Sequence, residues 1–142
     1  MATFSRQVSV EWKGNLLEGS GTATAGTGAF TLPVTFPQRI GEAGGATSPE
    51  ELIAGALGVC YTMVLSNMVA KKGGTASALK VTCDVTADKS DAGIKIVTAK
   101  LTPRAEGLSG MSADDFTATA KEAETKCPVA NALRGNVQID VA

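Results

Sequence analysis

Apolar and polar residues alternate in several parts of the chain, which is the pattern of β-strands with one buried face. A stretch rich in Gly, Ser, Thr and Ala predicts a weaker strand between hairpin turns. Pro33 and Pro37 make the segment around them an edge strand or an extended loop. Residues 41–47 and 88–93 are predicted as a loop and a turn, and Pro103 ends the strand after that turn. The strand segments are residues 8–12, 19–28, 30–36, 79–86, 94–101 and 137–141.

The longest apolar segment predicts a helix over residues 49–72. Ser48 suits the N-cap, Pro49 the first helical position, and Glu51 can complete a capping box three residues after the cap. Two glycines, residues 73–74, supply the stop signal.

This helix contains no charged residue from position 52 to 70, so a membrane span has to be considered. Thr62, Ser66 and Asn67 lie inside the segment and strand patterns surround it, which argues against a span. We therefore expect no membrane partner. A helix that is apolar on nearly all sides is more simply the buried axis of a globule or a dimer.

A second helix is predicted from Ser112 to about Lys126, where Cys127 and Pro128 interrupt it because the residue before proline avoids helical geometry. A short helix over residues 128–134 follows and ends at a glycine. The order of strands, helix, strands, helices and strand indicates an α+β fold, an antiparallel sheet packed on a central helix. We expect residues 1–142 to form a single domain.

Composition excludes several classes of function. The net charge of −1, without a basic cluster, makes nucleic acid an unlikely partner because phosphate binding needs concentrated positive charge. The N-terminus lacks the apolar core of a signal peptide, so a cytoplasmic location is expected. With three cysteines, no histidine and no Cys-x-x-Cys pair, the chain has almost no ligands for a zinc site, and we expect no metal and no cofactor.

The three cysteines differ in their surroundings, and without histidine any thiolate must be stabilised by arginine, lysine or a helix N-terminus. Cys83 lies on the apolar face of a strand and is interpreted as a small buried hydrophobe. Cys60 lies among apolar helical neighbours that raise a thiol pKa, so it is either a core residue or needs a distant cation. Cys127 is predicted at the N-cap of the short helix, which would make it the more acidic thiol. The alternative for Cys127 is a cap residue with no chemistry.

Three segments together resemble the OsmC/Ohr family of thiol peroxidases. They are residues 10–16 (VEWKGNL), residues 48–54 (SPEELIA) leading to Cys60, and residues 127–135 (CPVANALRG). The resemblance implies an OsmC-like α+β fold, a sheet wrapped around a long central helix in an intertwined homodimer. It also implies an antioxidant, stress-response enzyme of the organic hydroperoxide resistance type, which reduces organic hydroperoxides and, more weakly, hydrogen peroxide.

In this resemblance Cys60 is the peroxidatic cysteine and Cys127 the resolving cysteine. Cys60 is oxidised to a sulfenic acid, which condenses with Cys127 to a disulfide. An external dithiol, either a small molecule or a lipoyl- or thioredoxin-type protein, then reduces the disulfide.

The family also uses an arginine to hold the thiolate and a glutamate to orient that arginine. Glu50 matches the glutamate. Arg39, shortly before the long helix, matches the arginine of the OsmC branch, whereas the Gly-Arg pair of the Ohr branch is absent from residues 14–20. The alternative for Arg39 is a solvated loop charge. A permanent charge at Arg39 would stabilise a thiolate in apolar surroundings, and those surroundings would suit the alkyl part of an organic peroxide.

Glu50 and Cys60 lie ten positions apart, ~15 Å along a straight helix and on different faces. We therefore hypothesise that Arg39 and Glu50 reach across a dimer interface to the Cys60 of the partner. Two other functions remain open: a non-enzymatic dimer that binds an apolar ligand, and a redox sensor that passes its disulfide to a client protein.

Overall fold

The computed structural model describes residues 1–142 and divides the chain into two compact units, Met1–Leu52 and Ile53–Ala142. Each unit contains one three-stranded sheet. The single domain expected from the sequence stays a prediction. The elements in chain order are β1 (Val8–Lys13), β2 (Ser20–Ala25), β3 (Thr31–Val34), α1 (Phe36–Ile40), α2 (Pro49–Lys71), β4 (Ala78–Ser90), β5 (Gly93–Glu106), α3 (Ala113–Lys126), α4 (Pro128–Leu133) and β6 (Gln138–Val141).

The first unit holds an antiparallel sheet in the order β1-β2-β3. Strand β3 is an edge strand, as Pro33 predicted, because its only neighbour is β2. All six residues of β1 are exposed, so the expectation that Val8, Val10 and Trp12 form a half-buried face is wrong for the isolated chain. That strand therefore leaves an apolar face uncovered.

Helix α1 was not predicted from the sequence, which favoured an extended segment around Pro37. Its N-cap is Thr35, whose hydroxyl accepts a hydrogen bond from the Gln38 backbone N–H at 3.4 Å. Pro37 fits because it lies in the first turn, where a backbone N–H has no intrahelical partner. Five residues are too few to show a helical period.

Helix α2 begins and ends where the sequence predicted, within one residue. The Ser48 hydroxyl accepts from the Glu51 N–H at 3.1 Å, which confirms the N-cap. The Glu51 carboxylate accepts from the Thr47 hydroxyl at 2.8 Å, where the capping box predicted the backbone N–H of Ser48. After α2, Gly73 has a positive φ of 82° and turns the chain out of the helix.

The core of the second unit lies between α2, the β4-β5-β6 sheet and α3. The buried residues of α2 recur every four positions and form one face of the helix: Leu57, Tyr61, Leu65 and Val69. By length and composition α2 could cross a membrane, with a mean hydropathy of 1.7. Core helices of globular proteins pass the same test, but only 22% of the apolar window of α2 is buried in this chain, where one face packs on the sheet and on α3.

The second sheet is longer than predicted. Pro103 was expected to end its strand but lies inside β5, opposite Val81. Strand β6 pairs with β5 only over Thr98–Leu101, so at Pro103 the strand has a single neighbour and the missing N–H is tolerated. The β5–β6 pairing is parallel, whereas β4 and β5 are antiparallel. The α+β architecture with a long helix is otherwise confirmed.

Helices α3 and α4 confirm the prediction for the C-terminal part. The Ser112 hydroxyl caps α3 by accepting from the Asp115 N–H at 3.0 Å. Cys127 then adopts an extended conformation, which ends α3 and starts α4 at Pro128.

Candidate active site

Arg39 and Glu50 form a close ion pair in the first unit. The Arg39 Nη2 lies 2.7 Å from the Glu50 Oε1, and its Nε lies 3.2 Å from both carboxylate oxygens. This side-on contact fixes the plane of the guanidinium, which a single hydrogen bond would not do. The structure thus brings together two of the four residues that the sequence singled out, and Arg39 is no isolated loop charge.

The electrostatics of the pair keep both groups charged. The hydrogen bond from Arg39 lowers the pKa of the Glu50 carboxyl, against a smaller opposing effect of burial. The same hydrogen bond raises the pKa of Arg39. Arg39 therefore stays positively charged, and its contacts with Glu50 set the orientation of the guanidinium group.

The loop between α1 and α2 positions this pair, and the sequence did not reveal how. The Gln38 side-chain Oε1 accepts from the Ala46 N–H at 2.9 Å, which closes the loop over residues 41–46. The Thr47 N–H donates to the Pro33 carbonyl at 2.8 Å and ties the loop to β3. The sequence shows that Gln38 precedes Arg39, but only the folded loop shows that the Gln38 side chain closes it.

Cys60 and Cys127 form a second pair, in the other unit. Cys60 lies in the fourth turn of α2 and is half-buried, whereas Cys127, between α3 and α4, is fully buried. Both are free thiols, and they lie close enough for hydrogen bonding to Cys60 to affect the titration of Cys127. The structure thus places two thiols that are distant in sequence close together.

The expectation that Cys127 is an acidified thiol is wrong. Burial raises its pKa, and hydrogen bonding and charge repulsion from Cys60 raise it further. The N–H groups of Ala130 and Val129 at the start of α4 do lower the pKa, but by less than burial raises it. With its pKa raised, the Cys127 thiol stays protonated near neutral pH, and the protonated thiol is not the nucleophilic form of cysteine.

The third cysteine packs between β4 and α2. Cys83 is half-buried on β4, where it faces Gly58 of α2, and burial raises the pKa of its thiol. The structure places it among the residues that pack against the core, as the sequence indicated. No group of three or more His, Cys, Asp or Glu side chains is gathered anywhere in the chain to hold a metal ion.

Tyr61 is a further residue that the sequence left unassigned. It follows Cys60 and is fully buried, and its hydroxyl donates to the Ala120 carbonyl of α3 at 2.6 Å. Burial raises the pKa of the Tyr61 phenol, and the charge of Glu124 raises it further. Tyr61 therefore pins the turn that carries Cys60 to the helix that leads to Cys127.

Comparison with known proteins places this site in context. Residues 41–142 match the model of the family described as OsmC-like protein. The chain is 33% identical over 140 residues to a protein of Escherichia coli named peroxiredoxin OsmC, and the alignment covers 97% of this chain and 96% of that protein. It is 30% identical over 117 residues to organic hydroperoxide resistance protein-like 2 of Staphylococcus epidermidis, covering 79% of this chain and 80% of the relative.

The fold is shared with solved structures as well. One is the crystal structure of an organic hydroperoxide resistance protein OsmC from Legionella pneumophila, which superposes with a TM-score of 0.75 at 22% identity. The superposition covers 99% of this chain and 97% of the other. At that identity the likeness concerns the fold alone.

Proposed function

Because the chain belongs to the OsmC-like protein family, we propose that it is a cysteine-based peroxidase that reduces organic hydroperoxides and, more weakly, hydrogen peroxide. The Cys60 thiolate attacks the outer peroxide oxygen and the O–O bond breaks, so that Cys60 becomes a sulfenic acid and the leaving alkoxide takes a proton from solvent to become an alcohol. The Cys127 thiol then displaces the hydroxyl as water and forms a Cys60–Cys127 disulfide. A dithiol reduces that disulfide by exchange.

The observation that carries this proposal is the adjacency of Cys60 and Cys127. They lie 67 positions apart in the numbering, Cys60 on α2 and Cys127 at the junction of α3 and α4, yet their thiols interact. The two cysteines differ in burial in the way that the proposed reaction requires. The half-buried Cys60 is open to a substrate, and the buried Cys127 is kept from it.

Arg39 serves as the cation that the Cys60 thiolate needs, and Glu50 orients it. Glu50 and Cys60 lie ten residues apart on one helix, ~15 Å along its axis, so we assign the pair to the Cys60 of a partner subunit in a homodimer. The exposed face of α2 supports the dimer, because Val59 and Met63 are 59% and 68% exposed there. Strand β1 adds a second uncovered apolar surface.

We assign a dithiol as the reductant, because its second thiol breaks the mixed disulfide in an intramolecular step. A small dithiol or a lipoyl- or thioredoxin-type protein meets this need. The catalytic cycle also requires reduced cysteines between turnovers, which favours a cytoplasmic location.

A peroxide-consumption assay with a dithiol reductant tests the function. Cumene, tert-butyl and hydrogen peroxide are compared for the wild type, Cys60→Ser and Cys127→Ser, with Cys83→Ser as the matched control. We expect Cys60→Ser to consume no hydroperoxide and Cys83→Ser to keep the activity of the wild type. In Cys127→Ser we expect Cys60 to be oxidised once, after which the dithiol does not sustain turnover. Full activity in Cys60→Ser would refute the peroxidase and favour a ligand-binding dimer.

Mixed dimers test the placement of Arg39. Arg39→Leu and Cys60→Ser chains are co-expressed with different tags, and the mixed dimer is purified. If Arg39 acts across the interface, the mixed dimer joins one intact Cys60 to one intact Arg39 and regains activity at that site. If Arg39 acts within its own subunit, both sites stay inactive. The control pairs Arg39→Leu with the double variant Arg39→Leu/Cys60→Ser, which has no arginine to contribute.

A further inference from the structure

An ion pair that the proposed reaction does not use brackets the junction of α3 and α4. Glu124 lies in the last turn of α3, and Arg134 follows the last turn of α4. The Arg134 Nη1 lies 2.7 Å from the Glu124 Oε1. The Nη2 of the same guanidinium donates to the Asn131 Oδ1 at 2.9 Å and to the Glu124 backbone carbonyl at 3.4 Å. One side chain therefore ties the two helices together.

Cys127 is the residue enclosed by these contacts. Its N–H donates to the Glu124 carbonyl at 3.2 Å, and its own carbonyl accepts from the Asn131 N–H at 2.9 Å. Its backbone is extended, so the chain changes direction at this residue. The backbone groups that hold Cys127 thus belong to the two residues, Glu124 and Asn131, that Arg134 also binds.

The burial of Glu124 gives Arg134 its importance. The Glu124 side chain is 11% exposed, whereas that of Arg134 is 47% exposed. The buried Glu124 Oε1 accepts no directed hydrogen bond, so the charge of Arg134 is its compensation. A buried carboxylate that loses its cation is strongly unfavourable, and the junction would rearrange to hydrate it. The charge of Glu124 is also felt by Tyr61, next to Cys60, so this rearrangement would occur beside both thiols.

We propose that Arg134 is a positioning residue that, through Glu124 and Asn131, holds the Cys127 thiol toward Cys60 for disulfide formation. The inference rests on the function proposed above. In the step concerned, the Cys127 sulfur attacks the Cys60 sulfur, the S–O bond of the sulfenic acid breaks, and the thiol proton leaves with the hydroxyl as water. When this step is slow, a second hydroperoxide molecule oxidises the sulfenic acid to sulfinic acid and is itself reduced to an alcohol.

Rapid mixing of reduced protein with cumene hydroperoxide, followed by intact-mass analysis, tests the role of Arg134. Dimedone trapping counts the sulfenic acid, and the masses of disulfide and sulfinic acid are followed in parallel. For Arg134→Leu we expect disulfide formation to slow by about tenfold, because small displacements of reacting groups are costly, and the sulfinic fraction to rise. The initial oxidation of Cys60 should keep its rate. The matched control is Arg104→Leu, which removes an exposed arginine of β5 and should behave as the wild type.

Arg134→Lys controls for loss of folding in Arg134→Leu. Lysine keeps the positive charge but lacks the planar guanidinium group, so this variant should recover part of the rate of disulfide formation. Wild-type disulfide kinetics in Arg134→Leu, with a native circular dichroism spectrum, would overturn the proposal. So would an equal slowing of the Cys60 oxidation step, which would indicate general damage.

Equilibration with oxidised and reduced dithiothreitol separates this inference from the proposed function. That exchange forms the Cys60–Cys127 bridge without any hydroperoxide, so it needs no peroxidase activity. We expect the bridge to be about tenfold less stable in Arg134→Leu than in the wild type, since a less fixed pair has a lower effective concentration. If wild-type protein forms this bridge but consumes no hydroperoxide, the proposed function fails while the role of Arg134 stands. An unchanged equilibrium in Arg134→Leu would refute that role alone.

Discussion

Replacing Glu50 with glutamine keeps the shape of the side chain and removes the charge that holds Arg39. The Arg39–Glu50 contact consists of hydrogen bonds between charged groups, which contribute about 1.5–3 kcal/mol to stability when shielded from water. Arg39 and Glu50 side chains are 27% and 14% exposed, so solvent screening places the value near the lower end. We expect Glu50→Gln to lower the free energy of unfolding at pH 7 by about 1.5 kcal/mol.

The pH dependence of this loss identifies its cause. Arg39 lowers the pKa of folded Glu50 below its ordinary value of 4.5. The contribution is therefore fully present above pH 4.5 and is lost as the pH falls through the lower folded value. Glu50→Gln has no carboxyl to titrate at this position, so its difference from the wild type should shrink to nearly zero in acid.

Urea unfolding at a fixed protein concentration, from neutral pH into the acid range, measures this difference. Glu51→Gln is the matched control, because Glu51 shares the first turn of α2 but accepts from the Thr47 hydroxyl instead of a guanidinium. Subtracting it removes the interaction with the helix dipole. A difference between Glu50→Gln and the wild type that stays constant from neutral to acid pH would refute the reasoning.

Three other substitutions test contacts that stabilise the fold. Gly110→Ala should lower the free energy of unfolding by about 3 kcal/mol, because Gly110 has a φ of 74° and an added Cβ would clash with the Gly73 carbonyl oxygen. Gly28 has a similar φ of 79° but open space around it, so Gly28→Ala should lower the free energy of unfolding by only about 1 kcal/mol. Equal losses of stability for the two variants in urea unfolding would contradict the role of the contact between residue 110 and Gly73. Tyr61→Phe removes the hydrogen bond to the Ala120 carbonyl and should cost about 1 kcal/mol in the same assay; an unchanged midpoint would show that this bond contributes nothing.

The helices with capping signals could be predicted from the sequence, because their boundaries are set by nearby residues. Ser48 and Ser112 accept the hydrogen bonds expected of N-caps, and Pro128 begins α4 after Cys127. Helix α1 escaped prediction because a five-residue helix has no visible period. Pro103 was misjudged for a different reason, since only the short reach of β6 leaves its position without a second neighbour.

The candidate site was likewise predicted in part from the sequence. The residue types in two short segments, together with their likeness to a known family, were enough to single out Cys60 and Cys127. The titration of Cys127 could not be read from its local position, because the helix N-terminus that lowers a thiol pKa is outweighed by burial. Burial depends on what other elements pack over a residue, and neighbouring residues do not encode it.

The sequence by itself determined most of the elements and the absence of histidine, and hence the need for an arginine, a lysine or a helix N-terminus beside any reactive thiolate. The tertiary structure decided which charges and thiols meet: Arg39 with Glu50 through a closed loop, and Cys60 with Cys127 through the junction of α3 and α4. It also revealed the contact of Glu124 with Arg134, two residues that no local pattern connects. The physical reason is that capping and periodicity act over a few residues, whereas burial and pairing depend on contacts between distant segments.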